Sequence, residues 1–138
     1  MADTLRFPYQ VVQRSFGRAS LMPIVPITLS LGIRTFETEG LLDTGAAVNV
    51  LPYKAGLEIG ANWNALDSEV QLTGSLSRHE ARILTTYVSV GTFDPVEMVF
   101  AWTQVEKAPL LLGQTNFFMM FDAFFSRTEK YFELSLRS

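Results

Sequence analysis

The chain has 138 residues, of which 48% are apolar, so it can bury the core of a single domain spanning residues 1–138. Its 11 Lys and Arg residues are outnumbered by 14 Asp and Glu residues, and the formal net charge of -3 argues against a nucleic-acid partner. The sequence contains no cysteine, which excludes disulfides, zinc-thiolate sites and thiol nucleophiles. With His79 as the single histidine, we expect no metal site and no cofactor.

The first six residues, MADTLR, lack the charged and then apolar pattern of a signal peptide. No uninterrupted apolar run approaches the ~20 residues that a membrane-spanning helix needs. We therefore expect a cytoplasmic protein without a membrane partner.

The N-terminal third predicts an extended segment followed by a hairpin. Residues 1–20 form the extended segment, which is either loose or paired with another strand. Apolar residues then alternate with polar residues or proline, as in a strand with one buried face, at Val25, Ile27, Leu29 and Leu31. Pro23 and Pro26 suggest that this is an edge strand. After a turn at Gly32, residues 34–42 return as the second strand.

The middle of the chain predicts a short helix and a mobile hairpin. A brief strand over 48–51 precedes a helix over 53–59. Strand-like residues then flank a small, polar connection at 73–78, which suits a mobile hairpin tip. We interpret the hairpin of about residues 70–84 as a flap.

The C-terminal third predicts strands and one helical turn. The alternation of Met98, Phe100 and Trp102 indicates a strand with one buried face, and the leucines at 110–112 indicate a fully buried strand. The stretch 116–121, in which five apolar residues follow an asparagine, predicts a buried helical turn or two. A final hairpin follows, with strands around 124–125 and 131–136.

The motif Leu41-Leu42-Asp43-Thr44-Gly45-Ala46 presents a carboxylate at the end of an apolar strand, where small residues let the backbone turn tightly. A second apolar run, Leu110-Leu111-Leu112, is stopped by Gly113. Together these residues resemble the retropepsin-like aspartic proteases, the single-lobe family that includes the retroviral proteases. The resemblance implies a mainly β fold: a single-lobe, closed β-barrel with a flap hairpin and one or two short helices.

Carboxylates hydrolyse peptides in pairs, because one ionised group takes a proton from water while a protonated group polarises the carbonyl. The other aspartates, Asp3, Asp67, Asp94 and Asp122, are not followed by Thr-Gly or Ser-Gly. One chain therefore supplies half a site. We expect an aspartic endopeptidase that is a homodimer, in which two copies of Asp43 meet across a two-fold axis and activate a water molecule.

The resemblance assigns two sets of residues to this site. The catalytic set is Asp43, Thr44 and Gly45: Thr44 is expected to hydrogen-bond across the dimer, and Gly45 to admit the substrate backbone. The second set is expected to contact a polypeptide substrate bound as an extended strand. Its members are Ala46, Ala47, Val48, Leu72, Thr73, Gly74, Ser75, Leu76 and Leu112. Of these, Val48, Leu72 and Leu76 either form apolar subsite walls or belong to the core.

Three positions differ from the related enzymes. Retroviral proteases carry an acid where this chain has Ala47 and an arginine where it has Gln114, so both ends of an ion pair are missing. Many two-lobed relatives have a serine in place of Ala46, whose hydroxyl stabilises the ionised carboxylate. We therefore expect an activity optimum less acidic than that of pepsin-like enzymes. The chain resembles the bacterial single-lobe versions more closely.

Two other interpretations stay open. The same scaffold can serve as a catalytically inactive module that binds peptides or dimerises. An unrelated small β-barrel, in which Asp43 merely shapes a turn, would have no reason to dimerise through that loop.

Trp63 and Trp102 either line a groove or pack in the core, and core packing is the preferred interpretation.

Overall fold

The structure is a computed structural model that describes residues 3–13, 19–66, 69–71 and 80–137. The strands within these ranges are β1 (Thr4–Pro8), β2 (Gln10–Gln13), β3 (Ala19–Met22), β4 (Ile24–Leu31), β5 (Arg34–Leu42), β6 (Asn49–Pro52), β7 (Glu69–Gln71), β8 (Glu80–Ser89), β9 (Val96–Thr103), β10 (Leu111–Leu112), β11 (Phe121–Ser126) and β12 (Tyr131–Leu136). The helices are α1 (Tyr53–Glu58) and α2 (Phe117–Met120), and a 3₁₀ turn spans Trp63–Ala65. Neither helix of the described ranges has the length and hydrophobicity to span a bilayer.

Six strands close a mixed β-barrel. Their hydrogen-bonded order is β4-β5-β10-β6-β9-β8, and β8 pairs again with β4 through residues 28–30 to complete the ring. Two pairings are parallel, β10 with β5 and β6 with β9, and the others are antiparallel. The predicted mainly β architecture, with a closed barrel and two short helices, is confirmed.

The position of β4 differs from the prediction. Pro23 and Pro26 suggested an edge strand, but β4 has β5 on one side and β8 on the other. Pro26 lies outside the residues 28–30 that pair with β8, so its missing N–H removes no hydrogen bond from that ladder. The prediction of an edge strand is wrong because the proline occupies the part of β4 that pairs with β5 alone.

A second, three-stranded sheet lies outside the barrel in the order β1-β12-β11. The predicted C-terminal hairpin is present, and Phe132 and Leu134 share a buried face with the partly buried Leu136. The N-terminal extended segment is also strand-like: β1 pairs with β12, while β2 forms a hairpin with β3. Among the described residues, the first and last strands are therefore hydrogen-bonded to each other.

The barrel core contains the side chains that the alternation on β9 predicted. Met98, Phe100 and Trp102 are all fully buried. Helix α1 packs against Trp102, whose indole Nε1 donates to the carbonyl oxygen of Tyr53 at 3.1 Å. Trp63 packs edge-on against Trp102 with ring centroids 5.2 Å apart. Both tryptophans are thus core residues and do not line a groove.

Candidate active site

The Asp43 turn lies where β5 leaves the barrel. β10 runs parallel to the end of β5, with Leu112 beside Leu42, the residue before the acid. The N–H of Asp43 donates to the carbonyl oxygen of Leu112 at 3.0 Å, so the pairing of the two strands extends to the acid itself. Asp43 is half-buried, whereas Thr44 and Gly45 are exposed. The barrel therefore presents the carboxylate at its surface on a rigid base.

Backbone groups of the turn hold the Asp43 carboxylate. The N–H of Gly45 donates to Asp43 Oδ1 at 2.9 Å, and the N–H of Ala46 donates to the carbonyl oxygen of Asp43 at 3.1 Å. A Cβ atom on Gly45 would lie 3.3 Å from Asp43 Oδ1, a tight contact that would disturb this arrangement. A backbone N–H of the turn itself thus donates directly to the carboxylate.

The glycine that ends the second apolar run packs directly against this turn. A Cβ atom on Gly113 would lie 2.6 Å from the carbonyl oxygen of Val48 and 2.7 Å from that of Ala46. Because both neighbours are backbone atoms, the close approach requires glycine. The next residue, Gln114, donates its N–H to the carbonyl oxygen of Ala46 at 2.9 Å. The two turns form one hydrogen-bonded unit.

A buried amide that the sequence analysis did not assign ties this unit to the barrel. Asn49 is fully buried, and its Oδ1 accepts from the N–H of Gly113 at 2.8 Å. Its Nδ2 donates to the carbonyl oxygen of Val99 and to Asn116 Oδ1, both at 3.2 Å. The available signal was one asparagine within the otherwise apolar run at 48–51, since a buried amide needs partners.

The structure brings some predicted substrate contacts to the surface near the acid and leaves others elsewhere. Ala46 is half-buried and Ala47 exposed, while Val48 is 38% exposed. Leu112 is fully buried in the barrel core, so it does not share this surface. Its neighbour on β10, Leu111, is half-buried.

The predicted flap tip falls outside the described residues. This applies to Leu72, Thr73, Gly74, Ser75 and Leu76. The strands on either side, β7 and β8, pair antiparallel from Glu69 opposite Arg82 to Gln71 opposite Glu80. A flap at this position stays a prediction.

The site is built from a carboxylate, amides and backbone groups. In the part of the chain that the structure describes, no group of three or more His, Asp or Glu side chains is placed to hold a metal ion. The chemistry that the turn itself offers is that of an oriented carboxylate, which takes up or gives a proton.

No family model matches the sequence. No curated protein matches it either. Among solved structures, the crystal structure of a retropepsin-like aspartic protease from Rickettsia conorii is similar, with a TM-score of 0.59 over 99% of this chain and 96% of that chain. The sequence identity is 15%, so the similarity concerns the fold. The chain has the retropepsin-like fold that the Asp43 and Gly113 motifs predicted.

Proposed function

We propose that this protein is an aspartic endopeptidase that works as a homodimer. The observation that carries the proposal is the junction of β5 and β10, which holds the Asp43 carboxylate on an exposed turn by backbone hydrogen bonds. The retropepsin-like fold supports it, since the similar structure from Rickettsia conorii is that of a protease.

The reaction needs the same turn twice. An isologous interface repeats each residue on both sides of its axis, so a two-fold axis at the turn pairs Asp43 with its own copy. Two carboxylates about 3 Å apart cannot both ionise, and they hold one proton between them. The ionised group removes a proton from water, the water oxygen attacks the peptide carbonyl, and the protonated group donates to the carbonyl oxygen. The carboxyl group that took the water proton then gives it to the amine nitrogen as the C–N bond breaks, and the other carboxylate regains its proton from the tetrahedral intermediate as the carbonyl re-forms.

The surface beside the acid suits an extended polypeptide. Thr44 and Gly45 are exposed next to the carboxylate, and small side chains at Ala46 and Ala47 leave room for a substrate backbone. The exposed Val48 offers an apolar contact for a substrate side chain. A flap over about residues 70–84 would cover the bound peptide and exclude water.

The test compares wild type with Asp43→Asn and with Asp94→Asn as a matched control, since Asp94 is exposed in the loop before β9. Each protein is incubated with an unfolded protein substrate across pH, and binding of a hydroxyl-bearing tetrahedral peptide mimic is measured. We expect Asp43→Asn to lose at least about 100-fold in rate, and Asp94→Asn to keep the wild-type rate. An active dyad should also bind the mimic far more tightly than a plain peptide.

Two outcomes would contradict the proposal. A folded Asp43→Asn variant with the full rate would remove this carboxylate from the mechanism. A wild-type protein that neither cleaves nor binds the mimic would instead be a retropepsin-like module for peptide binding or dimerisation.

A further inference from the structure

Gln114 contacts the Asp43 turn at two places. Its side-chain Nε2 donates to the carbonyl oxygen of Thr44 at 2.9 Å. Its backbone N–H donates to the carbonyl oxygen of Ala46, also at 2.9 Å. Gln114, in the turn after β10, is therefore hydrogen-bonded to the residue before Gly45 and to the residue after it.

The side-chain contact acts on the carboxylate through a single peptide unit. The carbonyl of Thr44 and the N–H of Gly45 belong to the same peptide bond, which is trans. A trans peptide is planar, with its C=O and N–H pointing in opposite directions. When Gln114 holds the carbonyl, it also sets the direction of the N–H that donates to Asp43 Oδ1. The side-chain amide of Gln114 and the carboxylate of Asp43 are thus hydrogen-bonded to opposite ends of the planar Thr44–Gly45 peptide.

We propose that Gln114 is a positioning residue that orients the Asp43 carboxylate through the Thr44–Gly45 peptide. Its effect on rate rests on the proposed protease function. Both partners of the contact, an amide and a carbonyl, are neutral, so the contact keeps its strength as pH changes. Retroviral proteases carry an arginine at this position. Here the uncharged Gln114 is hydrogen-bonded to the turn instead.

The first test replaces the amide with a group that titrates. In Gln114→Glu, a protonated carboxyl can still donate to the Thr44 carbonyl, whereas an ionised one presents only acceptors and repels it. We expect the variant to match wild type at pH values below the ordinary glutamate range, near 4.3, and to lose about 2- to 10-fold in kcat above it. Gln114→Met, which has a similar length and no donor, should show the loss at every pH.

A control separates this effect from the added charge. Gln104 is exposed beyond the end of β9, so Gln104→Glu introduces the same charge elsewhere. Its rate relative to wild type should not change with pH.

A second readout needs no substrate. The N–H of Gly45 belongs to the peptide unit that Gln114 is proposed to orient. Its amide resonance should therefore shift, and its hydrogen exchange should accelerate, in Gln114→Met. If wild type cleaves nothing, the proposed function fails, while this measurement still tests the positioning role. A Gln114→Glu rate that tracks wild type at all pH values, or a Gly45 amide unchanged in Gln114→Met, would overturn the inference.

Discussion

The buried amide of Asn49 supports both turns of the candidate site, and its removal should be costly. In Asn49→Ala the N–H of Gly113 loses its acceptor and the Val99 carbonyl loses a donor, while Asn116 Oδ1 keeps the N–H of Val99. Each buried polar group left unpaired costs about 1–3 kcal/mol, so we expect a loss of about 2–4 kcal/mol in the free energy of unfolding, measured in urea. Asn64→Ala, an exposed control, should change it by less than about 0.5 kcal/mol. Equal midpoints for the two variants would show that this network does not stabilise the fold.

The residue at position 46 should set the pH range of activity. Ala46 carries no hydroxyl, and we expect wild type to work best above the range near pH 2–3 where an ordinary carboxylate is mostly protonated. Ala46→Ser adds a donor for the ionised carboxylate, so its optimum in kcat/KM should move to lower pH. Ala46→Gly, which adds none, should keep the wild-type optimum. A wild-type profile that peaks near pH 2–3 would refute this prediction.

The sequence predicted the positions of Asp43 and Gly113 in the site, but not the roles of Asn49 and Gln114. Asp43 and Gly113 stand at the ends of apolar runs, where local rules of strand and turn formation identify them. The roles of Asn49 and Gln114 depend on partners 64 and 70 residues away in the chain. The apolar run around Asn49 indicates a buried amide that needs partners, but the local sequence of neither residue identifies which distant groups those partners are. These two contacts therefore became visible only when the fold brought the segments together.

At the level of elements, alternation predicted the burial of Met98, Phe100 and Trp102 on β9, but not the burial of Ala101 and Thr103 on its other face. The stretch at 116–121 was expected to be buried throughout, because it is apolar on every side. Helix α2 instead turns Phe117 into the core and leaves Met119 57% exposed. An apolar run on its own does not specify which of its side chains other parts of the fold will cover.

Helix α2 should depend on one of its phenylalanines. Phe117 is fully buried and stacks on Phe121 with ring centroids 4.7 Å apart, whereas Phe124 on β11 is 55% exposed. We expect Phe117→Ala to lose about 3–5 kcal/mol in the free energy of unfolding and Phe124→Ala less than about 1 kcal/mol, both measured in urea. Similar losses in the two variants would contradict the assignment of α2 to the core.

At the level of the whole molecule, the outer sheet limits how two copies can meet. β12 is paired with β11 on one side and with β1 on the other, all within one chain. A second copy that extends this sheet therefore has to approach the outer edge of β1 or β11. The sequence predicted the C-terminal hairpin from its alternation. It did not predict that β1 would occupy the other side of β12, because strand pairing between distant segments leaves no local pattern.

Mixing active and inactive chains tests whether two copies of Asp43 act together. When equal amounts of wild type and Asp43→Asn exchange subunits at random, about one quarter of the dimers carry two aspartates, and activity per wild-type chain should fall to about half. A nine-fold excess of the variant should lower it to about one tenth. The mixed dimer is inactive because an amide cannot take the place of either carboxyl group in the proton transfers.

Asp94→Asn, mixed in the same way, should add activity in proportion to its amount. If excess Asp43→Asn leaves the wild-type rate unchanged after subunit exchange, then one chain suffices for catalysis or the two turns do not meet, and the dimeric mechanism is refuted.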